Sequence, residues 1–247
     1  MKSILITGAS SGIGAAIARL AVRDDYAVGL CYRSNRRGAE AIADAIRDDN
    51  GDVVMLQGDV ASKSDVSKMF REFETYYGNP TVVVNNAGIV APRVRFEDME
   101  EMRMHKMFYT NVIGPFMVAQ EAVRRMAKRN GGNGGTIVNI SSVAGRLGSG
   151  GQYVDYAASK GAIDTLTKGL AIEMADQDVR VVGVSPGIID TQIHEKGGEI
   201  NRVAEISPNL PMKRAGTAFE VAEAVLWLAS DAASYVTGTT LDVSGGR

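Results

Sequence analysis

A tyrosine and a lysine four residues apart are the side chains of this sequence best suited to proton transfer. Tyr156 and Lys160 bound a Tyr-Ala-Ala-Ser-Lys stretch, and helical spacing places both on one face. Because a free tyrosine has a pKa near 10, acid–base work near pH 7 needs assistance. A neighbouring ammonium favours the phenolate, so we expect Lys160 to lower the pKa of Tyr156. Tyr153 is a poorer candidate because Ala157 stands four residues after it.

A glycine-rich turn near residue 10 is the second candidate. Gly8, Gly12 and Gly14 follow a short apolar run, and helical periodicity begins directly after them. Glycines at such a junction let the backbone approach a pyrophosphate, which the partial positive charge of the helix N-terminus then stabilises. The spacing is Gly-x-x-x-Gly-x-Gly rather than the commoner Gly-x-Gly-x-x-Gly. The turn predicts a dinucleotide site.

Alternating strands and helices must position these residues. The predicted strands are nearly continuous apolar runs, as in strands buried on both faces of a parallel sheet, and cover 4–7, 27–32, 53–57, 81–84, 136–140, 179–184 and 240–243. Helical periodicity covers 15–23, 39–48, 66–77, 99–128, 157–175 and 218–229. The alternation predicts right-handed βαβ units in a doubly wound α/β Rossmann fold. We expect a mostly parallel, seven-stranded sheet with helices on both faces, in three α/β/α layers.

The sequence predicts one domain over residues 1–247. That length allows one large domain or two small ones, and no internal repeat or low-complexity linker divides it. The longest irregular stretch, 187–216, precedes the last predicted helix. A compact domain rarely keeps such a loop without a use, and we expect a flexible substrate flap.

Composition excludes several classes of function. Hydrophobic residues make up 45% and charged residues 23%, and the net charge of -2 gives no field that gathers nucleic acid or anionic membranes. No apolar stretch approaches the length of a membrane span. One cysteine, Cys31, cannot form an intrachain disulfide, and two histidines with one cysteine are too few for a zinc site. We expect a cytoplasmic protein that binds neither metal, nucleic acid nor membrane.

From the glycine spacing onward, the sequence resembles the short-chain dehydrogenase/reductase family. The resemblance continues in ordered blocks as far as Thr191. After the glycine turn these blocks are Asp59-Val60, Asn85-Asn86-Ala87-Gly88, Asn111, Ser142, Tyr156 with Lys160, and Pro186-Gly187 with Thr191.

The resemblance implies four catalytic residues. Tyr156 would donate or accept the proton on the substrate oxygen while a hydride passes to or from nicotinamide. Lys160 would bind the nicotinamide ribose and tune Tyr156. Ser142 would hold the substrate oxygen, with Ser141 as its rival, and Asn111 would keep a water in a proton relay behind Lys160.

Asn111 lies where a helical pattern meets glycine and proline. Pro115 stands four residues later, and proline removes a backbone donor and disturbs the helix one turn earlier. We expect a carbonyl near Asn111 to be left free for the relay water.

The resemblance also implies a cofactor site. Asp59 would face the adenine, with Val60 supplying backbone contacts, and Gly88 would leave space for the ribose. The residues from Pro186 onward would contact the nicotinamide carboxamide and the phosphates. The full expected lining is Gly8, Ser10, Ser11, Gly12, Ile13, Gly14, Arg33, Ser34, Asn35, Asp59, Val60, Asn86, Ala87, Gly88, Tyr156, Lys160, Pro186, Gly187, Ile189 and Thr191.

The residues after the second predicted strand favour NADP over NAD. An NAD enzyme usually places Asp or Glu here to bind the ribose hydroxyls. This sequence instead has Arg33, Ser34 and Asn35, and a guanidinium with a hydroxyl suits a 2′-phosphate. Arg36 and Arg37 are expected to be solvated.

These features predict an NADP(H)-dependent oxidoreductase that interconverts a carbonyl and a secondary alcohol. The sequence is similar to glucose 1-dehydrogenase-like and 3-oxoacyl carrier-protein reductase-like members, so a sugar or a 3-oxoacyl thioester is the expected small-molecule substrate. A non-catalytic NADP(H)-binding redox sensor is the alternative, and it would not need the four catalytic residues. A sugar-nucleotide epimerase is disfavoured by the glycine spacing.

The helix after Tyr156 predicts a homo-oligomer, and a second interface would make it a homotetramer; the alternative is that this helix packs only on the protein's own sheet. A stripe of small residues allows close approach of an identical helix, as the resemblance implies, and an apolar stripe lies beside it. The small stripe is Ala158, Ala162, Thr165 and Gly169, and the apolar stripe is Ile163, Leu166, Leu170 and Met174. A second interface would use residues 234–247, including Val236, Leu241 and Val243.

Overall fold

A central parallel sheet organises the chain, of which the computed structural model describes residues 1–191 and 202–247. The strands are β1 (Ser3–Ile6), β2 (Ala27–Tyr32), β3 (Val53–Gln57), β4 (Val82–Asn85), β5 (Gly135–Ile140), β6 (Val179–Pro186), β7 (Ile189–Asp190), β8 (Gly216–Thr217) and β9 (Thr240–Val243). Seven of them form the sheet in the order β3-β2-β1-β4-β5-β6-β9. The strand order reverses between β1 and β4, which creates the crevice where doubly wound sheets bind ligands.

Helices cover both faces of this sheet. They are α1 (Gly12–Ala21), α2 (Arg36–Asp48), α3 (Lys63–Tyr77), α4 (Glu101–Phe108), α5 (Gly114–Met126), α6 (Ala144–Leu147), α7 (Val154–Met174), α8 (Arg202–Ile206) and α9 (Ala218–Ala229). One hydrophobic core lies under α1, α2 and α9, and a second lies under α3, α5 and α7. The predicted three-layer, doubly wound fold is confirmed. None of the helices in the described ranges is long and apolar enough to cross a bilayer.

The residues of β1 show why apolar and polar side chains do not alternate along this strand. Ile4 and Ile6 pack in one core, and Leu5 between them packs in the other. All three side chains are fully buried. Since neighbouring side chains of a strand point to opposite faces, a strand covered on both sides needs an apolar residue at each position.

The predicted long helix over 99–128 is divided in the structure. A π-helical turn over Tyr109–Ile113 separates α4 from α5. Pro115 cannot donate the backbone hydrogen bond that would continue an α-helix through Asn111. The predicted disturbance is therefore present, and it displaces the helix hydrogen-bond register at Asn111. A further difference is that α7 begins at Val154, so Tyr156 lies in its first turn.

The segment over 187–216 contains regular structure at both of its ends. Strands β7 and β8 pair in parallel beside the main sheet, and the backbone N–H of Gly216 donates to the Ile188 carbonyl at 2.9 Å. Helix α8 leads into a 3₁₀ turn over Ser207–Asn209. The rest of the predicted flap, residues 192–201, lies outside the described residues. The two ends of the segment thus meet at the carboxyl end of β6.

Candidate active site

A cavity of about 500 Å³ opens at the carboxyl ends of the central strands. It lies at the crevice created by the reversal of strand order between β1 and β4, as expected for a doubly wound sheet. The structure brings all the predicted catalytic and cofactor residues to its wall except Gly14 and Asn111. The volume is within the range of small-molecule and cofactor sites.

The glycine turn after β1 forms one end of this cavity. Gly8 has φ +67° and Gly12 has φ +58°, a left-handed backbone conformation that favours glycine. A Cβ on Gly8 would also lie 2.9 Å from the Cα of Ala87. Gly14 lies behind the turn, since a Cβ there would come within 2.5 Å of Nδ2 of Asn86. Gly14 therefore permits packing of the turn and does not line the cavity.

Asn86 and Thr7 hold the glycine turn against the segment after β4. Nδ2 of Asn86 donates to the carbonyls of Thr7 at 2.9 Å and Gly8 at 3.1 Å. Oγ1 of Thr7 accepts from the backbone N–H groups of Asn86 and Ala87, both at 3.0 Å. These bonds link residues almost 80 positions apart, so the turn is fixed before any ligand arrives.

The start of α1 fits a dinucleotide pyrophosphate. Ser11, Gly12 and Ile13 reach the cavity wall at the first turn of this helix. Within the described residues, the first turn of α1 contains no acidic residue, and the side chain of its N-cap residue, Ser11, makes no capping hydrogen bond. The partial positive charge of the helix N-terminus is therefore available to an anion.

Arg33 lies at the adenosine end of the predicted cofactor site. Its Nη1 is 3.5 Å from Oδ2 of Asp59, and both side chains are partly exposed. Asn35 accepts from the Gly38 N–H at the start of α2 and donates to the Ser10 carbonyl, which joins the loop after β2 to the glycine turn.

Arg36 lies outside the cavity wall. Its Nε donates to Oε1 of Glu40 at 2.8 Å, and its side chain is 71% exposed. This matches the expectation that Arg36 is solvated.

Tyr156, Lys160 and Ser142 meet in the middle of the cavity. Nζ of Lys160 lies 5.7 Å from the centroid of the Tyr156 ring and donates to the Ile140 carbonyl at 2.8 Å. The Ser142 hydroxyl acts on the Tyr156 phenol and lowers its pKa, and Oγ of Ser142 accepts from the Ala144 N–H at 3.2 Å. Ser141 is buried, and its hydroxyl donates to the Lys160 carbonyl at 3.2 Å. The geometry thus brings Ser142 to Tyr156 and gives Ser141 a backbone contact.

Burial shifts the pKa values of both members of the Tyr–Lys pair. Desolvation raises the pKa of Tyr156 above 10.0, and the hydrogen bond from Ser142 offsets part of that rise. Desolvation lowers the pKa of Lys160 to about 8, against an opposing effect of Asp164. The expected lowering of the Tyr156 pKa by Lys160 is therefore wrong for this arrangement. Desolvation is the largest effect on the pKa of the phenol, and the Lys160 ammonium donates to the Ile140 carbonyl.

Asn111 lies in the π turn behind the cavity. Its Oδ1 accepts from the Ile89 N–H at 2.8 Å, and its Nδ2 donates to the Ile89 carbonyl at 2.9 Å. Nδ2 is also 3.3 Å from Oγ of Ser159. The side chain thus fixes the backbone that follows Gly88, and the relay water predicted for Asn111 stays a prediction.

The sequence analysis missed most of the apolar wall beyond Tyr156. These side chains carry no chemical signature, although their positions after β4 and β5 follow the rule that ligands bind at strand ends. They include Ile89, Val90, Val143 and Leu147. The C-terminal Arg247 also lines the cavity.

The thiol in the cavity wall is unsuited to nucleophilic chemistry. Cys31 is almost completely buried, and burial raises the pKa of its thiol, so the reactive thiolate is disfavoured. Within residues 1–191 and 202–247, no three His, Cys, Asp or Glu side chains are grouped so as to hold a metal ion. The predicted catalytic residues that the structure brings to the cavity wall are Tyr156, Lys160 and Ser142.

Comparisons with known proteins agree with this geometry. A family model described as "Enoyl-(Acyl carrier protein) reductase" matches residues 8–247. The "Uncharacterized oxidoreductase YgfF" of Escherichia coli (strain K12) is 47% identical over 100% of both chains. The "3-oxoacyl-[acyl-carrier-protein] reductase FabG" of Staphylococcus aureus (strain Mu50) is 35% identical, covering 99% of this chain and 97% of the relative.

The fold has a close counterpart among solved structures. A mutant of the Serratia marcescens short-chain dehydrogenase/reductase superposes with a TM-score of 0.91 at 31% identity, covering 99% of this chain and 97% of that one. The chain belongs to the short-chain dehydrogenase/reductase family of NAD(P)-dependent oxidoreductases.

Proposed function

We propose that this protein is an NADP(H)-dependent reductase that converts a carbonyl to a secondary alcohol, with Tyr156 as its acid–base group. The observation that carries this proposal is the meeting of Tyr156, Lys160 and Ser142 in the cavity whose other end is the glycine turn. A redox sensor on the same fold would not need a phenol, an ammonium and a hydroxyl together at that point.

Each polar group has a distinct part in the proposed reaction. When bound, the nicotinamide supplies the hydride. Because burial raises its pKa, the Tyr156 phenol is protonated at neutral pH and can donate its proton to the substrate oxygen. Ser142 holds the same oxygen by hydrogen bond. The ammonium of Lys160 stabilises the phenolate left on Tyr156 until that group is protonated again.

The proposed cofactor contacts follow the length of the cavity. The N-terminus of α1 would hold the pyrophosphate, and Asp59 with Val60 would face the adenine. Arg33 and Ser34 would bind the 2′-phosphate, since the end of β2 offers a guanidinium and a hydroxyl where an NAD enzyme has a carboxylate. Lys160 would bind the nicotinamide ribose, close to Gly88.

Replacing Arg33 with alanine is expected to reduce the preference for NADPH over NADH. Loss of a charge-assisted contact to the phosphate costs about 1.5–3 kcal/mol, which weakens NADPH binding roughly 10- to 150-fold. NADH binding should change little. Fluorescence titration of both cofactors with Arg33→Ala measures the ratio. Arg36→Ala, at the exposed arginine paired with Glu40, is the matched control, and an equal ratio in all three proteins would contradict the assignment.

A 3-oxoacyl thioester is the better supported of the two expected substrates. The cavity wall includes apolar side chains such as Ile89, Val143 and Ile188, whereas a sugar requires hydrogen-bond partners for its hydroxyls. The 3-oxoacyl reductase among the relatives supports the same choice. Residues 187–216 would form the substrate flap of a single domain over 1–247, in a cytoplasmic enzyme.

A panel of carbonyl compounds tests the proposed activity. NADPH oxidation should be fastest with 3-oxoacyl thioesters and slower with aldose sugars and simple ketones. Turnover of none of these compounds, with NADPH binding intact, would favour the redox sensor instead.

We also propose that the protein is a homotetramer built through two surfaces. The first is the outer face of α7, where Thr165 and Gly169 are exposed and Ile172 is 74% exposed. Exposed aromatic residues of α5 and the π turn, Tyr109 and Phe116, extend that apolar surface. The second surface carries exposed Phe219, Trp227, Tyr235 and Leu241 near the C-terminus.

Light scattering at micromolar concentration is expected to give a mass four times 26.3 kDa. Gly169→Arg should reduce that mass, because a Cβ at Gly169 meets nothing within 4 Å in the folded chain while a bulky charge would block helix pairing. Ala41→Arg, at an exposed alanine of α2, is the control. A mass of 26.3 kDa for the unmodified chain would refute the assembly.

A further inference from the structure

A buried ion pair joins α4 to the first turn of α7, directly beside Tyr156. Nε and Nη2 of Arg103 donate to Oδ2 and Oδ1 of Asp155 at 2.8 and 3.1 Å. The Asp155 side chain is 2% exposed and that of Arg103 is 16% exposed. Burying two charges carries a desolvation cost that apolar side chains would avoid. A bidentate pair at this depth therefore points to a role in fixing geometry.

The same guanidinium also contacts the segment after β4. Nη1 of Arg103 donates to the Pro92 carbonyl at 2.6 Å. Pro92 belongs to the segment after β4, over 87–95, which supplies Ile89 and Val90 to the cavity wall. Arg103 thus joins this segment and the catalytic helix through one planar group.

Two further contacts connect the segment to the approach of α7. The Val94 N–H donates to the Gln152 carbonyl at 3.2 Å, and Nε of Arg93 donates to the Tyr153 hydroxyl at 3.4 Å. The segment is thus bonded to the residues just before α7 at two points, and Arg103 adds a link to α7 itself through the buried Asp155.

The opposite end of the segment is fixed from the same helical stretch. Asn111, eight residues after Arg103, bonds to both backbone groups of Ile89. Helix α4 and the π turn therefore hold the segment at Ile89 and at Pro92. Since Asp155 immediately precedes Tyr156, the distance between the phenol and the apolar wall depends on Arg103.

We infer that Arg103 and Asp155 are positioning residues that set the Tyr156 phenol against Ile89 and Val90 of the cavity wall, through the segment over 87–95. This inference rests on the proposed function of Tyr156. Neither Arg103 nor Asp155 belongs to the described lining of the cavity, so both act through the groups they hold. The pair specifies where the substrate carbonyl meets the proton donor and leaves the cofactor end of the cavity unchanged.

Two substitutions separate geometry from charge. Asp155→Asn keeps the shape of the side chain but leaves the Arg103 guanidinium without its buried counter-ion. Arg103→Lys keeps the charge but cannot form the fork to Asp155 and reach Pro92 at once. Because a displacement of about 1 Å in a reacting group can cost on the order of 10²-fold in rate, we expect kcat to fall roughly 10- to 100-fold. The Kd for NADPH should stay within about twofold.

A matched buried arginine controls for general loss of stability. Nε of Arg125 donates to Oε1 of Glu74 at 2.8 Å, and the Arg125 side chain is 14% exposed. It joins α5 to α3, away from the described lining of the cavity. Arg125→Met should lower the free energy of unfolding and leave kcat unchanged. Arg103→Met should lower both, and Arg103→Lys should recover part of kcat.

Hydrogen exchange tests the inference independently of turnover. In Asp155→Asn and Arg103→Lys, peptides over 89–95 and 150–156 should exchange faster than in the unmodified protein, whereas in Arg125→Met they should not. If the unmodified protein reduces no carbonyl compound, the proposed function fails. The exchange data would still show whether Arg103 and Asp155 hold the segment over 87–95 in place. Unchanged exchange in both peptides, or unchanged kcat in an active enzyme, would overturn the inference.

Discussion

Tyr156→Phe is expected to lower kcat roughly 10²- to 10⁴-fold, the contribution of general acid catalysis, since the phenylalanine ring has no proton to donate. The ring itself and its packing in the first turn of α7 are retained. The Kd for NADPH should therefore change less than about twofold. Steady-state kinetics with a 3-oxoacyl thioester, together with cofactor titration, measure both quantities.

Tyr153 provides a control within the same cavity. Its hydroxyl accepts from Nε of Arg93. Tyr153 precedes α7, and the residue four positions after it is Ala157 instead of a lysine. Tyr153→Phe should keep kcat within about tenfold of the unmodified enzyme, a barrier change of ~1.4 kcal/mol. A Tyr156→Phe enzyme that kept this much activity would not use Tyr156 as its acid.

Lys160→Met is expected to abolish most turnover and to change the pH dependence of stability. The ammonium is almost completely buried, with its pKa lowered to about 8 by desolvation. In the unfolded chain the pKa of this group is about 10.4. Methionine fills similar space but supplies no charge to stabilise the phenolate of Tyr156, so kcat should fall together with NADPH affinity.

The sign of the stability effect follows from proton binding. Between pH 8 and pH 10.4 the unfolded chain holds the Lys160 proton while the folded chain has lost it, so this group makes stability rise with pH. Below about pH 8 the folded chain also holds this proton, and the destabilisation caused by burying the Lys160 ammonium is then fully present. The free energy of unfolding of the unmodified protein, relative to Lys160→Met, should therefore increase by up to about 3 kcal/mol between pH 7 and pH 10.

Urea unfolding of both proteins at pH 7 and pH 10 measures that difference. Lys168→Met, at an exposed position of the same helix, controls for the loss of a lysine as such. A difference between the unmodified protein and Lys160→Met that stays constant with pH would show that Lys160 is not desolvated as described.

The sequence by itself determined the features that arise from local periodicity and backbone sterics. Seven apolar runs without alternation required a sheet covered on both faces, and the two cores around β1 meet that requirement. Gly8 and Gly12 marked a turn with positive φ. The four-residue spacing of Tyr156 and Lys160 placed both on one helical face, because 3.6 residues make one turn.

Only the tertiary structure decided which contacts the neighbouring candidates make. Ser141 and Ser142 follow β5 and both line the cavity. The Ser141 hydroxyl donates to the Lys160 carbonyl, whereas the Ser142 hydroxyl acts on the Tyr156 phenol and lowers its pKa. Asn111 is one of the residues on which the family resemblance rests. Its side-chain amide nevertheless hydrogen-bonds to the Ile89 backbone behind the cavity. Sequence order does not fix such choices, because a single residue step turns a side chain to another side of the backbone.

The direction of the Tyr156 pKa also depended on the fold. The spacing from Lys160 predicted a lowered pKa, but burial of the phenol raises it. Likewise, Arg103 and Asp155 are 52 positions apart and share no local pattern. Desolvation and long-range ion pairing depend on all the atoms packed around a group in space, and spacing along the chain reports only the neighbours within a turn or a strand.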